Sequence, residues 1–122
     1  MRALVVDDSK AMRTIIGRIL KEVGFEVAEA CHGRDALAVL DRIGAVELAL
    51  VDWNMPEMDG LAFVQAVRAQ ASYRDMLLMM VSTEAELSRV TDALSAGANE
   101  YLMKPFTSDA VRDKLTVLGL VL

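Results

Sequence analysis

The stretch Leu48-Ala49-Leu50-Val51-Asp52-Trp53-Asn54-Met55-Pro56-Glu57-Met58-Asp59-Gly60 decides the fold. A short apolar run ends in an acid, and a turn-rich segment with Pro56 and Asp59-Gly60 follows. Beyond it, Leu61, Val64, Val67 and Ala71 recur at helical spacing. An apolar run without polar alternation reads as a strand buried on both faces, as in a parallel sheet covered by helices on both sides.

The same unit repeats along the chain. Apolar runs also occur at residues 3–6, 27–30, 77–81 and 101–103. Between them lie Met12, Ile15, Ile16, Ile19, Leu20 and Val23, then Ala36, Leu37, Leu40 and Ile43, all at helical spacing. Leu87, Val90 and Leu94 follow, and Val111, Leu115 and Leu118 form the last set. Gly24 and Gly97 stand where helices end, and Thr83 with Glu86 fits a capping box opening the fourth helix. The pattern is β-α five times over, an α/β chain forming one domain over residues 1–122. Right-handed crossovers then favour a five-stranded doubly wound parallel sheet. The order 2-1-3-4-5 is borrowed from flavodoxin-like folds of this size.

Bulk properties agree. A chain of 122 residues, 54% hydrophobic, buries a core and is not disordered. No apolar run is long enough for a bilayer-spanning helix, and no basic-then-apolar leader opens the sequence, so a cytoplasmic domain is expected. The net charge of −5 and scattered basic residues argue against a free-standing nucleic-acid binder. Cys31 and His32 are the only residues of their types, which excludes an internal disulfide and a cysteine or histidine metal cluster and leaves no obvious acid–base histidine beside a nucleophile. Chemistry must come from carboxylates, hydroxyls and a lysine.

Ligands of open α/β sheets bind beyond the carboxyl ends of the strands, where strand order reverses. Strand 1 ends in Asp7-Asp8, strand 3 in Asp52, strand 4 in Ser82-Thr83 and strand 5 in Lys104-Pro105. Strand 2 ends in Ala30-Cys31-His32, without an acid, and the borrowed order places it outside the others. Clustered carboxylates repel unless a cation joins them, and an all-oxygen set suits Mg²⁺. Lysine and hydroxyl beside it make a cradle for phosphate oxygens, and a carboxylate there can attack phosphorus. Blander roles compete: Asp8 as the first helix cap, Asp59-Gly60 as turn and helix start, Thr83 as a cap, Cys31 and His32 as structural residues, and the methionines as core filler. The apolar end, residues 117–122, either finishes the last helix against the core or marks a partner contact.

Four segments carry a resemblance: Val5-Val6-Asp7-Asp8-Ser9, Val51-Asp52-Trp53-Asn54-Met55-Pro56-Glu57-Met58-Asp59-Gly60, Val81-Ser82-Thr83-Glu84-Ala85, and Gly97-Ala98-Asn99-Glu100-Tyr101-Leu102-Met103-Lys104-Pro105-Phe106. Together they resemble the response-regulator receiver family of bacterial two-component signalling, most closely its chemotaxis members. The resemblance implies that Asp52 is the phosphoacceptor and that Asp7, Asp8, Asp52 and the Asn54 carbonyl hold Mg²⁺. It implies that Lys104, Ser82 and Thr83 bind the phosphoryl group, that Ser82 and Tyr101 form a switch, and that Lys104-Pro105 is a cis peptide. The implied partners are a histidine kinase as phosphodonor, a phosphatase, and a target on the face of helix 4, strand 5 and helix 5. A flagellar motor switch component is the natural target, and a phosphorelay intermediate or a receiver cut from a longer regulator is the alternative. Such a protein is a signalling switch with slow self-dephosphorylation, not an enzyme. Ser82 stands where threonine is also common, and Thr83 is larger than the alanine often found there.

Three rivals are distinguishable by residue. Haloacid-dehalogenase-type phosphatases also use a strand-end aspartate with Mg²⁺, but need an acid where Asn54 stands. A degenerate receiver would have lost acids or the lysine. A nucleotide-binding flavodoxin-like protein would need a phosphate loop where Asp7-Asp8 repel phosphate.

Overall fold

A computed structural model describes residues 1–83 and 87–120. All five expected strands form: β1 (Arg2–Val6), β2 (Glu26–Ala30), β3 (Leu48–Asp52), β4 (Leu77–Ser82) and β5 (Glu100–Met103). Each exceeds its apolar run by one residue, and every added residue is polar: Arg2, Glu26, Asp52, Ser82 and Glu100. The ladder therefore reaches just into the polar flank, which puts Asp52 and Ser82 inside the sheet. The helices are α1 (Lys10–Glu22), α2 (Gly33–Ile43), α3 (Gly60–Arg68), α4 (Leu87–Ala96) and α5 (Ser108–Val117). The sheet is parallel throughout, in the order β2-β1-β3-β4-β5.

Local chemistry sets the helix starts. Ser9 caps α1, its hydroxyl accepting from the Met12 amide at 3.2 Å. Asp8 is therefore not the cap. Only a residue directly before the first helical turn can reach the free amides of that turn, and Asp8 lies one position too early. Asp59 and Thr107 cap α3 and α5 in the same way, and His32 caps α2 through Nδ1, at 3.1 Å from the Asp35 amide. The capping box read at Thr83 and Glu86 lies outside the described residues. The third helix ends at Arg68, so Ala71 belongs to a short 3-10 turn, Ala71–Tyr73, and not to the helical face.

Alternation along the strands divides the interior into two cores. Leu4, Val6, Ala49, Val51, Leu78, Met80 and Tyr101 face α2, α3 and α4. Ala3, Val5, Leu48, Leu50, Met79, Val81 and Leu102 face α1 and α5. The helices differ in how firmly they are held. From α1, Ile16, Ile19 and Leu20 enter the core, whereas among the described residues Ala93 alone of α4 is fully buried. Ile15 and Leu94 are 49% and 46% exposed, so the buried stripe on each helix is narrower than its apolar pattern. Leu118 and Leu120 pack on the α1/α5 core, while Val117 points outward.

Arg68 ties the opposite pole together. Its guanidinium donates to the carbonyls of Gly97, Tyr73, Arg74 and Met76 and to Asn99 Oδ1, at 2.8–3.3 Å. Gly97 has φ +117°, and a Cβ there would lie 2.6 Å from Arg68 Cγ, so glycine serves both the turn and the clamp.

Candidate functional site

The carboxyl ends of β1, β3, β4 and β5 converge, as the strand order requires. Asp7, Asp8 and Asp52 each present a carboxylate oxygen within 4.8 Å of the others. Asp7 and Asp52 are buried, and Asp8 is exposed. Asp7 is fixed on every side. Its amide donates to the Ala30 carbonyl, its Oδ1 accepts from the Ser9 amide at 2.9 Å, and its own carbonyl accepts from Arg13 at 2.7 Å. Arg13 also pairs with Glu29 at 3.0 Å, a support without local sequence signal because its partners lie on other elements.

Lys104 spans the acids. Its Nζ lies 3.2 Å from Asp7 Oδ2 and 3.3 Å from Asp52 Oδ1. Burial would lower the Lys104 ammonium, but the charges of Asp7 and Asp52 reverse the sign and hold it above the usual lysine range. The Asp52 carboxyl is pushed up, first by burial and then by the Asp7 charge, with Lys104 pulling the other way. One lysine does not neutralise three acids. Asp8 is exposed, so the cluster meets solvent there. A cluster of hard oxygen donors with surplus negative charge fits Mg²⁺, which takes few protein carboxylates and keeps several waters.

The remaining predicted residues lie on β4, on β5 and in the loops that follow β3 and β4. Ser82 ends β4 and is buried, and Thr83 follows it on the surface. Asn54 is exposed in the loop after β3. Lys104-Pro105 is cis, as the resemblance implied. Tyr101 is buried to 7% and its ring meets that of Trp53, centroids 6.4 Å apart and planes tilted by 58°. Gly60 lets α3 start against β3, for a Cβ there would run into the Asp52 carbonyl oxygen. Trp53 is buried in the core under α2, α3 and α4, and the Arg89 guanidinium of α4 lies 4.5 Å from its ring centroid.

A five-stranded sheet of this order, with an acid cluster and a lysine at its carboxyl edge, defines a receiver. Residues 3–116 match the response regulator receiver domain, and the chain belongs to that family. It is 47% identical over 121 residues to the chemotaxis protein CheY homolog of Campylobacter jejuni, covering 98% of this chain and 93% of that protein. It is 43% identical to chemotaxis protein CheY1 of Helicobacter pylori over 97% of this chain and 96% of the relative. Among solved structures, Vibrio cholerae CheY4 superposes with a TM-score of 0.87 at 35% identity, covering 99% of this chain and 98% of that one. Receivers of this kind are signalling switches rather than turnover enzymes. Among the described residues, no helix is long and apolar enough to cross a membrane.

Proposed function

We propose that this receiver takes a phosphoryl group from the phosphohistidine of a histidine kinase onto Asp52. The observation that carries the reading is the buried pair Asp7 and Asp52 joined by the half-buried Lys104 beside the exposed Asp8. Asp7, Asp8, Asp52 and the Asn54 backbone carbonyl would hold Mg²⁺, which when bound neutralises the acids and the charge growing on the phosphoryl oxygens.

A carboxylate oxygen of Asp52 attacks phosphorus. The new O–P bond forms as the P–N bond to imidazole breaks, and the imidazole leaves with the electron pair and takes up a proton. Lys104, charged throughout, passes its hydrogen bond from Asp52 to a phosphoryl oxygen. The Ser82 hydroxyl and the Thr83 amide bind the other oxygens, and Tyr101 adjusts to the movement of Ser82. The face of α4, β5 and α5, where Leu94 and Met103 lie exposed, then changes its affinity for a target protein. Water cleaves the acyl phosphate to the Asp52 carboxylate and inorganic phosphate, with or without a partner phosphatase. The relatives' chemotaxis names support a part in chemotaxis, and on this reading the receiver, residues 1–122, acts in the cytoplasm on a flagellar motor switch component.

The test is covalent labelling by a small radiolabelled acyl phosphate, with and without Mg²⁺, in the wild type and Asp52→Asn. Mg²⁺-dependent label that disappears in the variant is expected. A folded wild type that takes no label overturns the reading.

A further inference from the structure

Phosphorylation at Asp52 has to be felt by α4, yet the two lie on different faces of the sheet. Alternation carries Asp7, Asp52 and Lys104 onto the α1/α5 side and Ser82, Trp53 and Tyr101 onto the α4 side. Trp53 is the residue next to Asp52. It is 5% exposed, its amide donates to the Val81 carbonyl and its carbonyl accepts from Gly60. Its backbone is thus bound to β4 and α3, and its ring touches both Tyr101 and Arg89.

The other end of that contact is weakly anchored. Ala93 is the only fully buried residue of α4 among those described, and its small side chain holds little. Arg89 is half-buried and, among the described residues, forms no ion pair, so the Trp53 face is its one described charge partner. Val90 and Ala96 add only partly buried apolar contacts to the core, so the cation–π contact of the half-buried Arg89 contributes to seating this helix.

We infer that Arg89 is a positioning residue: its stack on Trp53 docks α4 onto the acceptor strand and relays the state of Asp52 to that helix. The relay rests on the phosphoacceptor reading above. A phosphoryl group adds close to two negative charges one residue from Trp53 and competes for nearby cations, so the stack is altered when Asp52 is charged.

Trp53 is the sole tryptophan, which makes the joint directly visible. Wild type, Arg89→Met and Arg89→Lys are compared by Trp53 emission before and after labelling with a small acyl phosphate and Mg²⁺, and by amide exchange over residues 88–96. Methionine keeps an unbranched stem and removes the charge, and lysine keeps the charge. We expect equal labelling, an emission change at least about twofold smaller in Arg89→Met, and α4 exchange about two- to fivefold faster, with Arg89→Lys close to wild type. Label at Asp52 with emission change and exchange in Arg89→Met matching wild type overturns the relay and leaves the phosphoacceptor intact. Absence of label in the wild type overturns the acceptor reading and the relay with it.

Discussion

The two faces of the sheet do different work at one edge. Toward α1 and α5 the strands end in charge, with Asp7 and Asp52 buried around Lys104. Toward α4 they end in a hydroxyl and two rings, Ser82, Trp53 and Tyr101. Neighbouring residues on one strand, Asp52 and Trp53, serve opposite sides because side chains alternate. In the proposed switch the charged groups of the transfer thus lie on one side and the output helix on the other, joined by Ser82 and by the Asp52-Trp53 peptide unit.

Substitutions that break one face and spare the other sharpen this comparison. Lys104→Met should have the largest effect, slowing Asp52 labelling about 100-fold, the usual cost of one well-placed charge at a transferring group. Initial rates at saturating Mg²⁺ check it, and a loss under threefold would show that Lys104 is only an ion-pair partner. Gly60→Ala strikes the seam, because its Cβ would run into the Asp52 carbonyl oxygen. A stability loss of about 2–4 kcal/mol is expected from the denaturant midpoint, since the opposing atom is backbone and cannot step aside.

Asp52→Asn should do the reverse in metal-free buffer. The carboxyl is raised on folding, so the folded state holds more protons between the ordinary aspartate value and its raised one. Stability therefore falls as pH climbs through that window. At neutral pH the amide should melt roughly 3–6 °C above wild type. The gap should close below about pH 3 and narrow on adding Mg²⁺, as calorimetry can show. Tyr101→Phe should move labelling least, within about twofold by rate, because it removes only a hydroxyl and on the other face. A tenfold change would join the two faces more tightly than their geometry does.

Much of this was legible in the sequence, for identifiable reasons. Strand ends are marked where an apolar run meets a polar residue, so Asp7, Asp52, Ser82 and Lys104 could be placed at one edge before any coordinates. Helix starts were harder, because Asp8 and Ser9 are both good caps and only backbone geometry selects Ser9. Consecutive Ile15 and Ile16 point about 100° apart on α1, and packing on a flat sheet buries only Ile16. The contacts of Arg13, Arg68 and Arg89 join residues far apart in sequence, and no periodicity announces them.

The clamp at Arg68 has a mechanical corollary. It grips the carboxyl end of α4 at Gly97 and Asn99 by hydrogen bonds, while the other half of the helix rests on the Arg89 stack. A rod pinned at one end and leaning at the other does not slide; it pivots. Gly97 would then be the fulcrum, and a small change in tilt there would become the longest excursion at residue 88, near the opposite end of α4.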